Sequence, residues 1–321
     1  MRWQRSFAAA VVTLAACGTS DDTVTPGADA TTNDVANPGD SGTDVVTPPG
    51  DGGTQVVIGA AGDISDNAIG DQKKTSDLLL TGYDGVLLLG DNQYPDGTSS
   101  DYTSYFAPTW GRVKAITHPA PGNHDYHTAG ATGYYGYFGA AAGDPTKGYY
   151  SYDMGAWHLI ALNTNDNDCG FVACNAASAQ VAWLKADLAK NKTKCTLAYW
   201  HHPRFNSGSS HGDFTGAQAI WDALYAADAD VVLNGHEHVY ERFDPQTPAG
   251  AADAVRGIRQ FTVGTGGIGF YTFGTPKANS AVREESSYGI LKLTLKATSY
   301  DWEFVAVAPS KFTDKGSGNC H

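Results

Sequence analysis

The sequence predicts an α/β domain whose last third is largely β, with two packed sheets flanked by helices, and three observations predict it. Short apolar runs of strand length recur between residues 55 and 234. Two amphipathic helical patterns lie between the later runs, and after residue 259 strand-like segments follow one another with little helix between them. Five segments of the chain also end in Asp, Asn or His. In α/β sheets ligands gather beyond the carboxyl ends of the strands, so polar clusters distant in sequence can meet there at one site.

The chain opens on a targeting pattern. Arg2 and Arg5 precede an apolar stretch from Phe7 to Ala16, too short to span a bilayer as a helix. Small residues end it in LAAC, residues 14–17, which marks residues 1–16 as a signal peptide. Cys17, directly after them, resembles the lipidated first residue of a bacterial lipoprotein, which implies an exported, cell-envelope location and a membrane contact through lipid. Residues 17–54 are dominated by Thr, Asp, Gly, Pro, Ala, Val and Asn, with no aromatic residue, Lys or Arg. Such a stretch cannot bury a core and is expected to be a disordered acidic tether. Residues 55–321 then form one sizeable domain.

The net charge is −13, and −8 remains once the two arginines and the tether's seven aspartates are set aside. No basic patch suggests a nucleic-acid partner. With Cys17 assigned to lipid, Cys169, Cys174, Cys195 and Cys320 form an even set in an exported domain, which suggests disulfides. Cys169 and Cys174 share one loop and are expected to pair, leaving Cys195 with Cys320; none shows paired C-x-x-C zinc spacing.

Strands are expected at QVVIGAA (55–61), VLLL (86–89), HLIAL (158–162), TLAYW (196–200) and VVLN (231–234). SAQVAWLKADLAK (178–190) begins with a serine cap and places Val181, Leu184 and Leu188 on one helix face; GAQAIWDALYAA (216–227) is a second helix. RQFTVGTGG, GILKLTLKA and SYDWEFVAV read as the closing strands. The aromatic-rich TGYYGYFG (132–139) and GYYSYD (148–153) are expected to pack over loops. VGTGGIG (263–269) lacks the Lys-Ser/Thr ending of a phosphate-binding loop.

The polar clusters close AAGD (60–63), LLGDNQY (88–94), PAPGNHD (119–125), TLAYWHHP (196–203) and VVLNGHEH (231–238). Each alone is weak, since Gly-Asp is commonly a turn and N-H-D often caps a loop. His236 and His238 are expected to reach one site by way of a bend at Gly235.

The ordered set GD, GD-x-x-Y, GNHD, H-x-P, GHEH resembles the calcineurin-like metallophosphoesterases and, more narrowly, the purple acid phosphatases. In GDIS, Ser65 stands where the broad superfamily has a histidine, and Tyr94 stands three residues after Asp91, where the purple acid phosphatases have their tyrosine. The resemblance implies a four-layer αββα sandwich of two mixed sheets. It implies metal ligands at Asp63, Asp91, Tyr94, Asn123, His201, His236 and His238. Asp91 would bridge the ions; Asp63, Tyr94 and His238 would complete an Fe(III) site, and Asn123, His201 and His236 a divalent site for Fe, Zn or Mn. Hard anionic oxygens suit the trivalent ion, imidazole and amide the divalent one. His202 receives no role.

Two more histidines are implied to be catalytic. His124 would donate to the phosphate, with Asp125 orienting it or capping a loop, and His211 would protonate the leaving oxygen. Plant-type relatives carry a further histidine where this chain has Ser210. The implied protein is a compact exported acid phosphatase without a fibronectin-like module. It would hydrolyse phosphate monoesters, of small molecules or phosphoproteins, by attack of metal-bound hydroxide. Its rivals are a phosphodiesterase or nucleotide pyrophosphatase on the same centre, and a non-catalytic metal- or phosphate-binding lipoprotein.

Overall fold

The computed structural model describes residues 55–165 and 172–321. The signal peptide, Cys17, the tether and Cys169 lie outside the described residues, and with Cys169 the expected Cys169–Cys174 pair. In chain order the first elements are β1 (Val56–Ala61), α1 (Asp71–Asp77), β2 (Gly85–Leu89), α2 (Ser99–Asp101), β3 (Thr117–Ala120), α3 (Asn123–His127), α4 (Thr132–Phe138), β4 (Tyr150–Met154) and β5 (Trp157–Ala161). Then follow α5 (Ala179–Lys190), β6 (Cys195–Tyr199), α6 (Gln218–Ala226), β7 (Val231–Asn234), β8 (Tyr240–Phe243), β9 (Arg259–Val263), β10 (Ser280–Glu284), β11 (Gly289–Leu295), β12 (Ser299–Ala306) and β13 (Lys315–Asn319).

The strands form two mixed sheets, as expected. One has the order β13-β12-β11-β1-β2-β3, the other β10-β8-β9-β7-β6-β5-β4. In the first, β1, β2 and β3 run parallel, and β11 pairs antiparallel with β1. In the second, β5, β6, β7 and β9 run parallel. Alternation along the central strands explains how the second sheet is covered twice. Leu197 and Tyr199 of β6, and Val231 and Leu233 of β7, enter the core shared with the first sheet. Ala198 and Val232, one residue out of phase, enter a second core with Val181, Leu184, Ile220 and Trp221 of α5 and α6. Each such side chain, fully buried, stabilises by roughly 1.5–3 kcal/mol. The first turn of α5 is fixed by Ser178 Oγ, which accepts from the Val181 N–H at 3.2 Å.

Five strands are not anticipated from the sequence: β3, β4, β10 and β13 are the outer strands of the two sheets, and β8 lies one place in from the edge of the second. Edge strands are half-solvated, so THPA, YSYDM, SAVRE and KGSGN lack the continuous apolar run that marks a central strand. The aromatic stretches do pack, but as α4 and β4 rather than over loops. Tyr134 and Tyr150 both donate to the Pro119 carbonyl, at 3.0 and 2.8 Å, behind the loop that carries Asn123. Cys195 and Cys320 form a disulfide with a Cα–Cα distance of 5.3 Å, which ties the end of the chain to the start of β6.

Candidate metal centre

The polar clusters sit just beyond the carboxyl ends of β1, β2 and β3 in one sheet and of β6 and β7 in the other. The backbone turns sharply there. Asp63, Asp91 and His236 have φ of 57°, 49° and 72°, a left-handed region that ordinary residues rarely adopt and that costs on the order of 1–3 kcal/mol each. The bend that re-aims the two GHEH histidines is therefore at His236 itself and not at Gly235. Gly90 has φ 88°, and a Cβ there would lie 2.5 Å from His201 Nδ1, so only glycine lets the two sheets' loops meet this closely.

Two carboxylates and a phenol form one side. Asp63 and Asp91 are buried, and the Tyr94 hydroxyl donates to Asp63 Oδ1 at 2.9 Å and Asp91 Oδ2 at 2.8 Å. It also lies 3.1 Å from His238 Nε2. The other carboxylate oxygens accept backbone N–H groups: His236 to Asp63 Oδ2 and His124 to Asp91 Oδ1, each at 2.8 Å. His238 Nδ1 faces the Gly269 carbonyl at 2.8 Å, which leaves Nε2 for the centre. Tyr271 stacks flat on His238 with ring centroids 4.0 Å apart.

The other side is nitrogen-rich. His201 Nδ1 faces the Leu89 carbonyl at 2.9 Å, and its Nε2 lies 3.1 Å from Asp91 Oδ2 and 3.2 Å from His236 Nδ1. Asn123 Oδ1 is buried and has no hydrogen-bond partner. The ring nitrogens of His201, His202 and His236 lie within 4.8 Å of one another, as do ligand atoms of Asp63, Asp91 and His201.

The three residues expected to be catalytic differ in placement. The His124 ring lies 4.1 Å from that of Tyr94, and its Nδ1 meets the Pro95 carbonyl at 2.6 Å. Asp125 does not orient that ring, a correction to the first of its two expected roles. Its Oδ2 accepts from Gly122 N and Asn92 Nδ2, both at 2.9 Å, and its Oδ1 from the Tyr102 hydroxyl at 2.6 Å, so it builds the loop. His211 packs on His236 with centroids 3.9 Å apart. Its Nδ1 lies 3.0 Å from Oε2 of the buried Glu237, which also accepts from Asn206 Nδ2 and the N–H groups of Ser210 and His211. Sequence reasoning missed Glu237; the signal was an acid set between two candidate ligands in GHEH. It also missed why residues 264–267 are Gly-rich: a Cβ at Gly264 would lie 2.1 Å from the Glu237 carbonyl, and one at Gly266 2.6 Å from that of Gly62.

The electrostatics of the protein alone fit a cationic occupant. Burial opposes ionisation of Asp91, but the imidazoles of His201, His124 and His236 outweigh it and hold its carboxyl well below the usual range. Burial would lower His201, yet the Asp91 carboxylate raises it to about 9. A proton is thus held where positive charge is wanted. Burial, then Asp63 and Asp91, push the Tyr94 phenol well above its ordinary value. Burial and the neighbouring imidazoles of His202 and His201 keep His236 neutral. A cation would convert the orphaned Asn123 oxygen and the facing ring nitrogens from a cost into ligands.

Residues 56–240 match the calcineurin-like phosphoesterase family, and that match covers more than half of the 321-residue chain. This chain belongs to the calcineurin-like phosphoesterases. Within that family it is similar to the purple acid phosphatases. It is 29% identical to purple acid phosphatase 15 of Arabidopsis thaliana over 205 residues, 52% of this chain and 37% of that one. The chain thus matches little more than a third of that relative's length. The structure of the purple acid phosphatase PPD1 from yellow lupin superposes with a TM-score of 0.69 at 17% identity, covering 83% of this chain and 54% of that one. GAP50, the anchor in the inner membrane complex of Plasmodium, superposes with a TM-score of 0.62 at 14% identity, covering 83% and 89%. At such identities the superpositions speak to the fold alone.

For a calcineurin-like phosphoesterase the donor set here is internally consistent. The Tyr94 phenol meets Asp91 Oδ2 at 2.8 Å, and the His201 imidazole meets the same oxygen at 3.1 Å. Hard oxygen and softer nitrogen ligands favour different ions, and groups of these residues could hold a metal ion.

Proposed function

We propose that the chain is an exported acid phosphatase that hydrolyses phosphate monoesters at a dinuclear Fe(III)–M(II) centre, with M as Fe, Zn or Mn. The observation that carries this reading is the meeting of Asp63, Asp91, Tyr94 and His238 around one hydroxyl, at 2.8 to 3.1 Å, next to the nitrogen-rich side. Asp63, Tyr94 and His238 would hold the iron, Asn123, His201 and His236 the divalent ion, and Asp91 both. Two bound ions would supply an activated water and offset the charge of an in-line phosphoryl displacement.

The chain's own residues supply the rest. His124, fixed by the Pro95 carbonyl, is placed to donate to a phosphate oxygen. Glu237 takes the Nδ1 side of His211 and thereby presents Nε2 outward, where a proton can pass to a leaving alkoxide. The LAAC sequence supports a lipid on Cys17 that anchors the domain to a membrane surface, with small phosphorylated molecules or phosphoproteins as substrates.

The test is to purify the protein, measure iron and divalent metal, record a visible spectrum, and compare para-nitrophenyl phosphate with its bis ester. Two ions, a visible charge-transfer band and faster monoester cleavage are expected. Faster diester cleavage would reassign the substrate, and metal without turnover would make the protein a binding lipoprotein. Mass spectrometry of the mature N-terminus checks the lipid on Cys17.

A further inference from the structure

His202 is buried, and yet it is a second imidazole directly after a proposed ligand. Its ring lies 4.3 Å from that of His236 and 4.8 Å from that of His201, the latter edge-on. A structural role would need only its contact with Phe214, centroids 4.9 Å apart. The position is more elaborate than that. Thr164 Oγ1 meets His202 Nδ1 at 3.1 Å and accepts the His202 backbone N–H at 3.3 Å, and Trp200 Nε1 donates to the His202 carbonyl at 2.8 Å. The ring is thus held from its Nδ1 side, and the nitrogen left over is Nε2. One ring nitrogen from each of His201, His202 and His236 falls within 4.8 Å of the other two.

We infer that His202 is a third imidazole ligand of the divalent position, with Nδ1–H donating to Thr164 and the Nε2 lone pair turned to the ion. The inference rests on the dinuclear reading and deepens it by naming the class of metal. Three imidazoles and an amide favour a borderline ion of the zinc type over hard ions such as Mg²⁺, and weaken the site's preference for Mn²⁺.

The experiment uses the full chain, stripped of metal with a chelator and titrated with Zn²⁺ and with Mn²⁺ against a chromophoric competitor. His202→Phe keeps a ring against Phe214 and cannot coordinate; His202→Ala is its companion. Both variants are expected to bind one of two Zn²⁺ equivalents on the order of 100-fold more weakly, with the other unchanged and Mn²⁺ affinity less affected. Thr164→Val is expected to shift the same equivalent in the same direction by a smaller factor. The metal-free His202→Phe protein is expected to melt close to the parent. If both variants bind both Zn²⁺ equivalents within about twofold of the parent, the inference is overturned while the dinuclear reading stands. Loss of both equivalents together with a lower melting point of the metal-free variants would make His202 structural and also overturn it. A parent that takes up fewer than two ions overturns the dinuclear reading, and this inference with it.

Discussion

On the carboxylate side of the centre, all four oxygens of Asp63 and Asp91 have donors: the Tyr94 hydroxyl twice, and the backbone N–H groups of His124 and His236. On the imidazole side, His201 Nε2 faces His236 Nδ1 at 3.2 Å, and the Asn123 oxygen has no donor at all. The oxygens of Asp63 and Asp91 are hydrogen-bonded within the protein, whereas the Asn123 oxygen is left an acceptor without a protein donor. A buried acceptor left without a partner costs about 1–3 kcal/mol, so the metal-free protein bears that cost on one side alone.

The largest effect is expected where the two sides share a residue. Asp91→Ala should remove both ions and lower phosphate release on the order of 1,000-fold or more, read by metal analysis and by turnover. Retention of either ion at parental affinity would show that the sides are independent. Next, His211→Ala should keep both ions and lose about 100-fold in rate, with Glu237→Gln following in the same direction by about tenfold. Loss of metal in either variant would move them from proton transfer to construction of the site.

Tyr94→Phe strips the donor shared by both carboxylates. The metal-free protein should lose about 1–3 kcal/mol of stability in denaturant unfolding, and the iron-loaded protein its visible band. A colourless parent would remove Tyr94 from the ligand set. The smallest effect concerns pH. His201 is raised to about 9 in the metal-free protein, above an unfolded value near 6.5. The stabilisation is complete below about pH 6.5 and is lost as pH rises through about 9, so the melting temperature of the metal-free protein should fall over that range. Metal affinity should climb over the same range, because binding displaces the proton. Parallel trends would show that His201 does not carry that proton.

Apart from the short, polar β8, the interior strands of this molecule are legible in its sequence and the border strands are not. The central strands β1, β2, β5, β6 and β7 were evident from apolar runs, since both faces of each are covered. The edge strands were not, because solvent relieves them of that pattern. At the site, residue types and their order named the ligand candidates, but a backbone angle decided how His236 and His238 share one pocket. Sequence could not distinguish the two roles of Asp125, because Tyr102 and Asn92, its actual partners, lie 23 and 33 residues away. Likewise the sequence does not mark Glu237, because the loop that wraps its carboxylate supplies donors from Asn206 and Ser210, 31 and 27 residues away.

The disulfide between Cys195 and Cys320 has a consequence for how the two sides are joined. It closes a covalent ring spanning 125 residues of the chain, and His201, His236 and His238 are all inside that ring. Asp63, Asp91, Tyr94 and Asn123 lie on the linear arm that precedes it. An ion shared by Asp91 and His201 would therefore act as a clasp between a loop and its tail, a closure additional to the Cys195–Cys320 disulfide. In the unfolded state the ring stays shut and keeps its histidines within reach of one another, whereas the carboxylates drift away on the arm. The ring confines the imidazoles before folding; the clasp has to wait for it.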